Sequence, residues 1–310
     1  MKILLLGASG FIGREILSTL SKEKNCLIMA LENKRPVDVK GASNVSIIRQ
    51  SLNTLNLNKL PHQPDIIIHA ARYRTGKLGK FGRHWMAAKG KRANRSLMKQ
   101  LNRMKNKPKL IYISGSLMYG SVPGYLINEK FPLSPTSFAR EYVAAEEVFL
   151  REIDSSNPNV LMLRVPWVIG AGSWFDWNYM QFIQRENKIQ LYGKGKNMMT
   201  FIDLRDLAQI VVKILRINQS GILNLFNPEY MSQFDFATKM SRLFQKEIKA
   251  IELEQAHISS AIKEAFQSDI QLGSNYHELQ LHLQENLKPI DESLLFYGKH
   301  YIKQLEESTI

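Results

Sequence analysis

The sequence predicts an α/β fold, a doubly wound parallel sheet with a smaller mixed C-terminal lobe, and three features carry that expectation. Apolar runs alternate with helix-period segments through the first half, the order that βαβ crossovers require. Ile66-Ile67-Ile68 is apolar without alternation, as in a strand covered on both faces, and it leads into the small residues Ala70 and Ala71. The first apolar run breaks into a turn holding Gly7, Gly10 and Gly13, then into an amphipathic helix bearing Ile12, Ile16, Leu17 and Leu20.

Taken in order, the patterns predict strands over 2–7, 26–31, 45–49, 65–70, 109–114 and 159–164. Helices are predicted over 10–22, 83–105 and 136–152. Short right-handed crossovers between such strands give one parallel sheet. Beyond Pro166 the pattern loosens. A helix is expected from Asp203 to Leu215, a strand from Gly221 to Phe226, and helices over 232–244 and 291–306, with 268–290 the least regular stretch. A dinucleotide-binding domain is therefore expected over 1–165, its sheet completed by parts of 200–226, and a mainly substrate-binding lobe over 166–310.

The glycine turn has the layout of a Rossmann-type dinucleotide clamp. Glycines let backbone approach a pyrophosphate, and the first helical turn aims unpaired N–H groups and a positive dipole end at it. Gly7, Ser9, Gly10, Phe11, Ile12 and Gly13 are the candidate phosphate contacts, with Ala70 and Ala71 beside them. Glu32, at the end of the second strand, is placed to accept hydrogen bonds from the adenosine ribose and to repel a 2′-phosphate, which favours NAD. Lys34 and Arg35, with Arg14, keep NADP open, and a solvated turn over 32–36 is the plainer alternative.

Composition excludes several classes. Hydrophobic residues make up 44% and charged residues 23%, ordinary values for a globular chain. No apolar run is long enough to cross a bilayer, and the first strand begins at the N-terminus, so neither a membrane span nor a signal peptide is expected. With Cys26 as the one cysteine, disulfides do not hold the fold and a cytoplasmic location is expected. The net charge of +14 is unevenly placed. No Asp or Glu occurs from Ile66 to Asn128, while fourteen of the 42 Lys and Arg fall between Arg72 and Lys109, leaving 28 elsewhere to balance 28 acids.

Several segments occur together in order: the glycine turn, Pro64-Asp65-Ile66-Ile67-Ile68-His69-Ala70-Ala71, Ile113-Ser114-Gly115-Ser116-Leu117-Met118-Tyr119-Gly120, Leu163-Arg164 through Gly170, Tyr192-Gly193-Lys194-Gly195, Phe201-Ile202-Asp203-Leu204-Arg205-Asp206-Leu207-Ala208, and Gly221-Ile222-Leu223-Asn224. Over residues 1 to about 245 this set resembles the extended short-chain dehydrogenase/reductase family, the NAD-dependent epimerase/dehydratases. The resemblance implies a Tyr acid/base with a Lys four residues later on the same helix face, whose ammonium lowers the phenol's pKa and holds the nicotinamide ribose.

The catalytic set departs from that pattern. Aligned on Ala144-Ala145-Glu146, Phe138 stands where tyrosine belongs and Tyr142 where lysine belongs; in the other register Tyr142 is the acid/base and Glu146 replaces lysine. Neither supplies the lysine. Gly115 occupies the place of the Ser or Thr that would bond the reacting oxygen, which leaves Tyr142, Ser116 and Tyr119 as acid/base candidates. The strings Tyr73–Lys77 and Tyr192–Lys196 contain glycine and read as loops. Near the adenine, Ser51 before Leu52 stands where the family has Asp, and Leu52 is the expected contact; Met199 replaces an Arg that grips sugar-nucleotide phosphate.

Arg72, Arg74, Lys77, Lys80 and Arg83 follow the fourth strand and suit an anionic substrate or an acidic carrier-protein arm. Lys91, Arg95, Lys99, Arg103 and Lys107 recur every four residues, so like charges repel by roughly 0.2–0.5 kcal/mol per pair on one helix face. A solvated face, an acidic partner or a second subunit all fit this stripe; nucleic acid is disfavoured because no recognition motif accompanies the charge. Trp167, Trp174, Phe175, Trp177 and Tyr179 fit an apolar pocket or core packing equally well. His69 and His84 lack ligand spacing, and no metal site is expected. Three functions stay open: an ordinary NAD(P)-dependent oxidoreductase or sugar-nucleotide epimerase, an enzyme on this scaffold with an atypical site, and a non-catalytic dinucleotide-binding subunit or sensor.

Overall fold

The computed structural model describes residues 1–73, 79–256 and 258–308, and side chains outside 79–84 and 305–308. The chain forms two units. The first comprises Met1–Gly115, Ala139–Arg164 and Ala208–Leu223; the second comprises Ser116–Phe138, Val165–Leu207 and Asn224–Ile310.

In the first unit, β1 (Lys2–Leu6) leads through the glycine turn into α1 (Phe11–Leu20), followed by β2 (Leu27–Glu32), β3 (Val45–Arg49) and β4 (Ile66–His69). Then come α2 (Gly79–Leu101), β5 (Lys109–Gly115), α3 (Arg140–Asp154), β6 (Val160–Val165) and β7 (Gly221–Asn224). The strand order is β7-β6-β5-β4-β1-β2-β3. β1 pairs in parallel with β2 on one side and β4 on the other, Leu4 facing Met29 and Ile67. The order reverses at β1, so the glycine turn sits at the topological switch point, where open α/β sheets bind their ligands.

The apolar runs bury as their composition requires. Ile3, Leu4, Leu5 and Leu6 are fully buried, as are Ile67 and Ile68. One core cluster joins Leu4, Leu6, Met29, Ile67 and Leu110 to Leu97 and Leu101 of α2 and Phe149 of α3. Among the predicted boundaries that shift, two helix ends matter for the site. The second helix ends at Leu101 rather than 105, so Arg103 and Lys107 lie beyond it and the basic stripe is shorter than its spacing suggested. The third helix starts at Arg140 rather than 136, because the chain first makes a turn over 137–139.

The second unit is built from two-stranded pieces and short helices. Phe201–Asp203 pairs with Trp167–Ile169, and Ile248–Ile251 with Ile189–Tyr192. Gln271–Leu272 and the helix His277–Gln284 give structure to the stretch expected to be irregular. Trp174 is the centre of an aromatic core, with ring centroids 5.0 Å from Trp167 and 5.7 Å from Tyr179 and Phe236. Core packing therefore accounts for most of that aromatic segment. No helix among the described residues is long and apolar enough to cross a membrane, and no group of three potential metal ligands occurs among them.

Candidate cofactor cradle and active site

The turn after β1 is closed by Gly10 N–H donating to Gly7 O at 2.8 Å. Gly7 has φ +89°, and a Cβ there would lie 2.6 Å from Ala71 N and 2.7 Å from Ala70 C. A Cβ on Gly13 would sit 2.1 Å from Gly7 O, so the first turn of α1 lies flat against the loop. Gly10 differs: its Cβ would meet only Gly7 O, at 3.1 Å, and open space lies beyond. α1 starts at this glycine with no side-chain cap and no acid in its first turn. Its leading N–H groups have no intrahelical partner, and Ser9, Phe11 and Ile12 are half-exposed around them. A dinucleotide's pyrophosphate fits this arrangement in shape and charge, because a Cβ at Gly10 would fill the space that the helix end faces.

Glu32 ends β2 with one oxygen accepting Val37 N–H at 2.8 Å and the other accepting Arg49 Nε at 3.1 Å. These bonds hold its carboxyl below the usual range. A carboxylate has about four acceptor sites, so capacity for ribose hydroxyls remains. Ser51 turns outward in a local turn with Thr54, while Leu52 is buried in the core and lines a narrow pocket with Ala71, Arg72, Tyr112 and Tyr142. His69 is buried, its Nε2 3.0 Å from Asn94 Oδ1, and burial pulls its pKa down to about 4. It is a neutral structural group.

α3 carries the departures from the expected catalytic set. Tyr142, Ala145, Glu146 and Phe149 form its buried face. Glu146 is ion-paired with Arg164 of β6 and accepts a hydrogen bond from Ser114 Oγ, and Arg164 Nη1 donates to the same hydroxyl at 2.7 Å. Both charged side chains are 0% exposed. Glu146 is thus committed to the core and does not stand in for lysine. One turn earlier, the Arg72 guanidinium lies 3.8 Å above the centre of the Tyr142 ring. Burial pushes the Tyr142 phenol up, and the Arg72 charge opposes that shift.

Sequence reasoning named Arg72 only as one of a basic run, and did not join Ser114, Glu146 and Arg164. A signal existed for the second group. An Arg inside the wholly buried run Val160–Val165 needs an opposing charge, and Glu146 lies on the buried face of a neighbouring helix.

The remaining candidates fall elsewhere. Ser116 opens a short 3₁₀ turn in the second unit and is buried. Tyr119, also in that unit, donates to Asn224 Oδ1 at 2.8 Å. Phe138 is exposed, and Met199 is fully buried. Tyr192 ends a strand, its phenol pushed up to about 12 by burial, and Lys196 follows in the turn after it rather than one helical turn away. Arg74 and Lys77 lie outside the described residues, as do the side chains of Lys80, Arg83 and His84.

Solved structures with this fold include a dTDP-glucose 4,6-dehydratase from Bacillus anthracis in complex with NAD, at TM-score 0.76 and 16% identity, with 99% of this chain and 98% of that one covered. A UDP-glucuronic acid 4-epimerase from Bacillus cereus in complex with UDP-glucuronic acid and NAD gives TM-score 0.77 and 20% identity, covering 98% and 100%. A UDP-N-acetylglucosamine 4-epimerase from Methanobrevibacter ruminantium gives 0.77 and 18%, covering 98% of each chain. No curated protein sequence matches the chain. A sequence profile of the NAD dependent epimerase/dehydratase family matches residues 3–226, most of the chain. The protein therefore belongs to the NAD-dependent epimerase/dehydratase family, whose cofactor is NAD.

Proposed function

We propose that this chain is an epimerase or dehydratase acting on a nucleotide-linked sugar or a similar anionic small molecule, with Tyr142 handling the proton and Arg72 supplying the cation. Family membership and the sugar nucleotides named for the fold neighbours support the substrate class. The stack of Arg72 on Tyr142, at 3.8 Å, carries the assignment of residues.

Gly7, Ser9, Gly10, Phe11, Ile12 and Gly13 would hold the pyrophosphate, with Leu52, Ala70 and Ala71 as the apolar wall. Glu32 would take the adenosine ribose, and its negative charge selects NAD over NADP. When bound, NAD supplies a reversible hydride acceptor. At neutral pH Tyr142 is a protonated phenol, since burial raises its pKa. It donates a hydrogen bond to a substrate oxygen and takes part in proton transfer. Arg72 favours the phenolate through its charge, the electrostatic help that a lysine one helical turn away would otherwise give.

The test is turnover of UDP- and dTDP-sugars with added NAD, using deuterated substrate to show whether carbon-bound hydrogen moves. Tyr142→Phe should lower kcat by about 10²–10⁴-fold, the usual share of a general acid/base, with NAD affinity unchanged. Full turnover in Tyr142→Phe would remove Tyr142 from the mechanism, and the same assay on Ser116→Ala tests the other hydroxyl. A second reading, a non-catalytic NAD-binding subunit, is favoured by Phe138, which has no proton to give. NAD binding without turnover of any such substrate would select it.

A further inference from the structure

A second cleft in the first unit lies on the side wall between the β3–β4 connection and the C-terminal half of α2. It has a volume of about 810 Å³ and is lined by Asn53, Thr54, Asn56, Asn58 and Gln63 of the connection and by Ser96, Lys99, Gln100, Arg103, Lys105 and Asn106 of α2 and the residues just after it. That size falls within the range of small-molecule sites, roughly 300–1,000 Å³.

Its chemistry is one-sided. The lining holds three cations and no carboxylate. Lys99, Arg103 and Lys105 make no ion pair among the described residues, whereas Lys91 of α2 is bonded to Glu147 at 2.9 Å. Amides and hydroxyls supply most of the other lining groups. The walls are also fixed: Gln100 accepts Leu57 N–H at 2.8 Å and donates to Leu55 O at 2.9 Å, fastening the connection to α2 through both ends of one amide. Asn56 caps the short 3₁₀ turn that follows, its side chain accepting Asn58 N–H at 3.0 Å.

We infer that this cleft is a second anion site, which takes a small ligand through a di- or triphosphate group. The three unpaired cations match such a charge, and charge-assisted bonds to phosphoryl oxygens are the strong ones available to Lys and Arg. The ring of amides suits the neutral oxygens and nitrogens of the rest of the ligand. A small molecule is favoured over a polymer, since no nucleic-acid recognition element accompanies the charge among the described residues. A merely solvated helix end would not require the fixed opposite wall. The site is separate from the glycine turn, so it does not depend on the function proposed above.

The experiment is calorimetric titration of the full chain with tripolyphosphate, in saturating NAD so that the glycine turn is filled. One site per chain is expected. Lys99→Gln combined with Arg103→Gln should weaken it at least tenfold, since two of the three cations and their charge-assisted bonds are removed. These side chains are exposed, so the variant should keep the native melting temperature, which confirms that it folds. No binding by the native chain, or binding unchanged in the double variant, overturns the inference. So does preferential, steeply salt-dependent binding of a DNA or RNA oligonucleotide, which would assign the charge to nucleic acid.

Discussion

Replacing Glu146 with Gln tests whether that residue belongs to the core or to the chemistry. Gln keeps the size and the helix propensity of position 146 but removes the carboxylate facing Arg164, where both side chains are 0% exposed. Breaking a buried ion pair by removing one partner costs about 3–5 kcal/mol, because the remaining charge stays desolvated. Ser114 Oγ loses a charged acceptor in the same step. At about 2–4 °C per kcal/mol for a domain of 150–250 residues, the melting temperature should fall by roughly 10 °C.

The control replaces the pair together. Glu146→Leu with Arg164→Met puts apolar side chains of similar volume in the same space, a change that is often neutral or stabilising. Ser114 Oγ then lacks both of its partners, at about 1–3 kcal/mol for a buried unsatisfied hydroxyl, and adding Ser114→Ala should recover that loss. Thermal melts followed by circular dichroism read the stability, and fluorescence titration reads NAD affinity. A core role for Glu146 is refuted if Glu146→Gln melts within about 2 °C of the native chain while its NAD affinity drops tenfold or more. Glu146 would then act at the cofactor, in the place the family gives to lysine, and not in the core.

Two further outcomes follow from the same unit. Gly13→Val places its Cβ within 2.1 Å of Gly7 O, so the turn must open and NAD binding should be lost in the same fluorescence titration; native affinity in this variant would dissociate the glycine turn from the cofactor. His69 is held neutral, with a pKa of about 4 against about 6.5 when unfolded. Below pH 6.5 the unfolded chain binds the extra proton first, so stability should decline as pH falls from 6.5 to 4, by about 3 kcal/mol from this group alone. Urea melts of the native chain and His69→Gln across that range read the difference, and a proton NMR titration of the His69 ring with a midpoint near 6.5 would contradict it.

Much of the first unit is legible in the sequence because each element repeats one physical pattern. The strand at Val45–Arg49 falls where alternation puts it, and Lys2–Leu6, Ile66–His69 and Val160–Val165 depart by a residue or so. The errors have local causes. Met104 continues the apolar spacing of α2, but the helix has ended at Leu101, and nothing in the spacing separates a helical methionine from one packed just past the end. The small strands of the second unit escape the pattern because two or three residues, such as Met198–Met199 and Met231–Ser232, are too few to show a period.

The site divides along the same line. The glycine turn is local, seven residues from Gly7 to Gly13, so the candidate cradle is legible in the order of its residues. The catalytic question is not local. Tyr142 and Glu146 share one helix face and look interchangeable by spacing alone. Their roles separate only through partners distant in the chain: Ser114 on β5 and Arg164 on β6 for Glu146, and Arg72 after β4 for Tyr142. One carboxylate is enclosed among core side chains, and one phenol lies beneath a guanidinium and lines a narrow pocket with Ala71. Position relative to the sheet, rather than residue type, separates the two, and Tyr142 is the one proposed to meet a substrate.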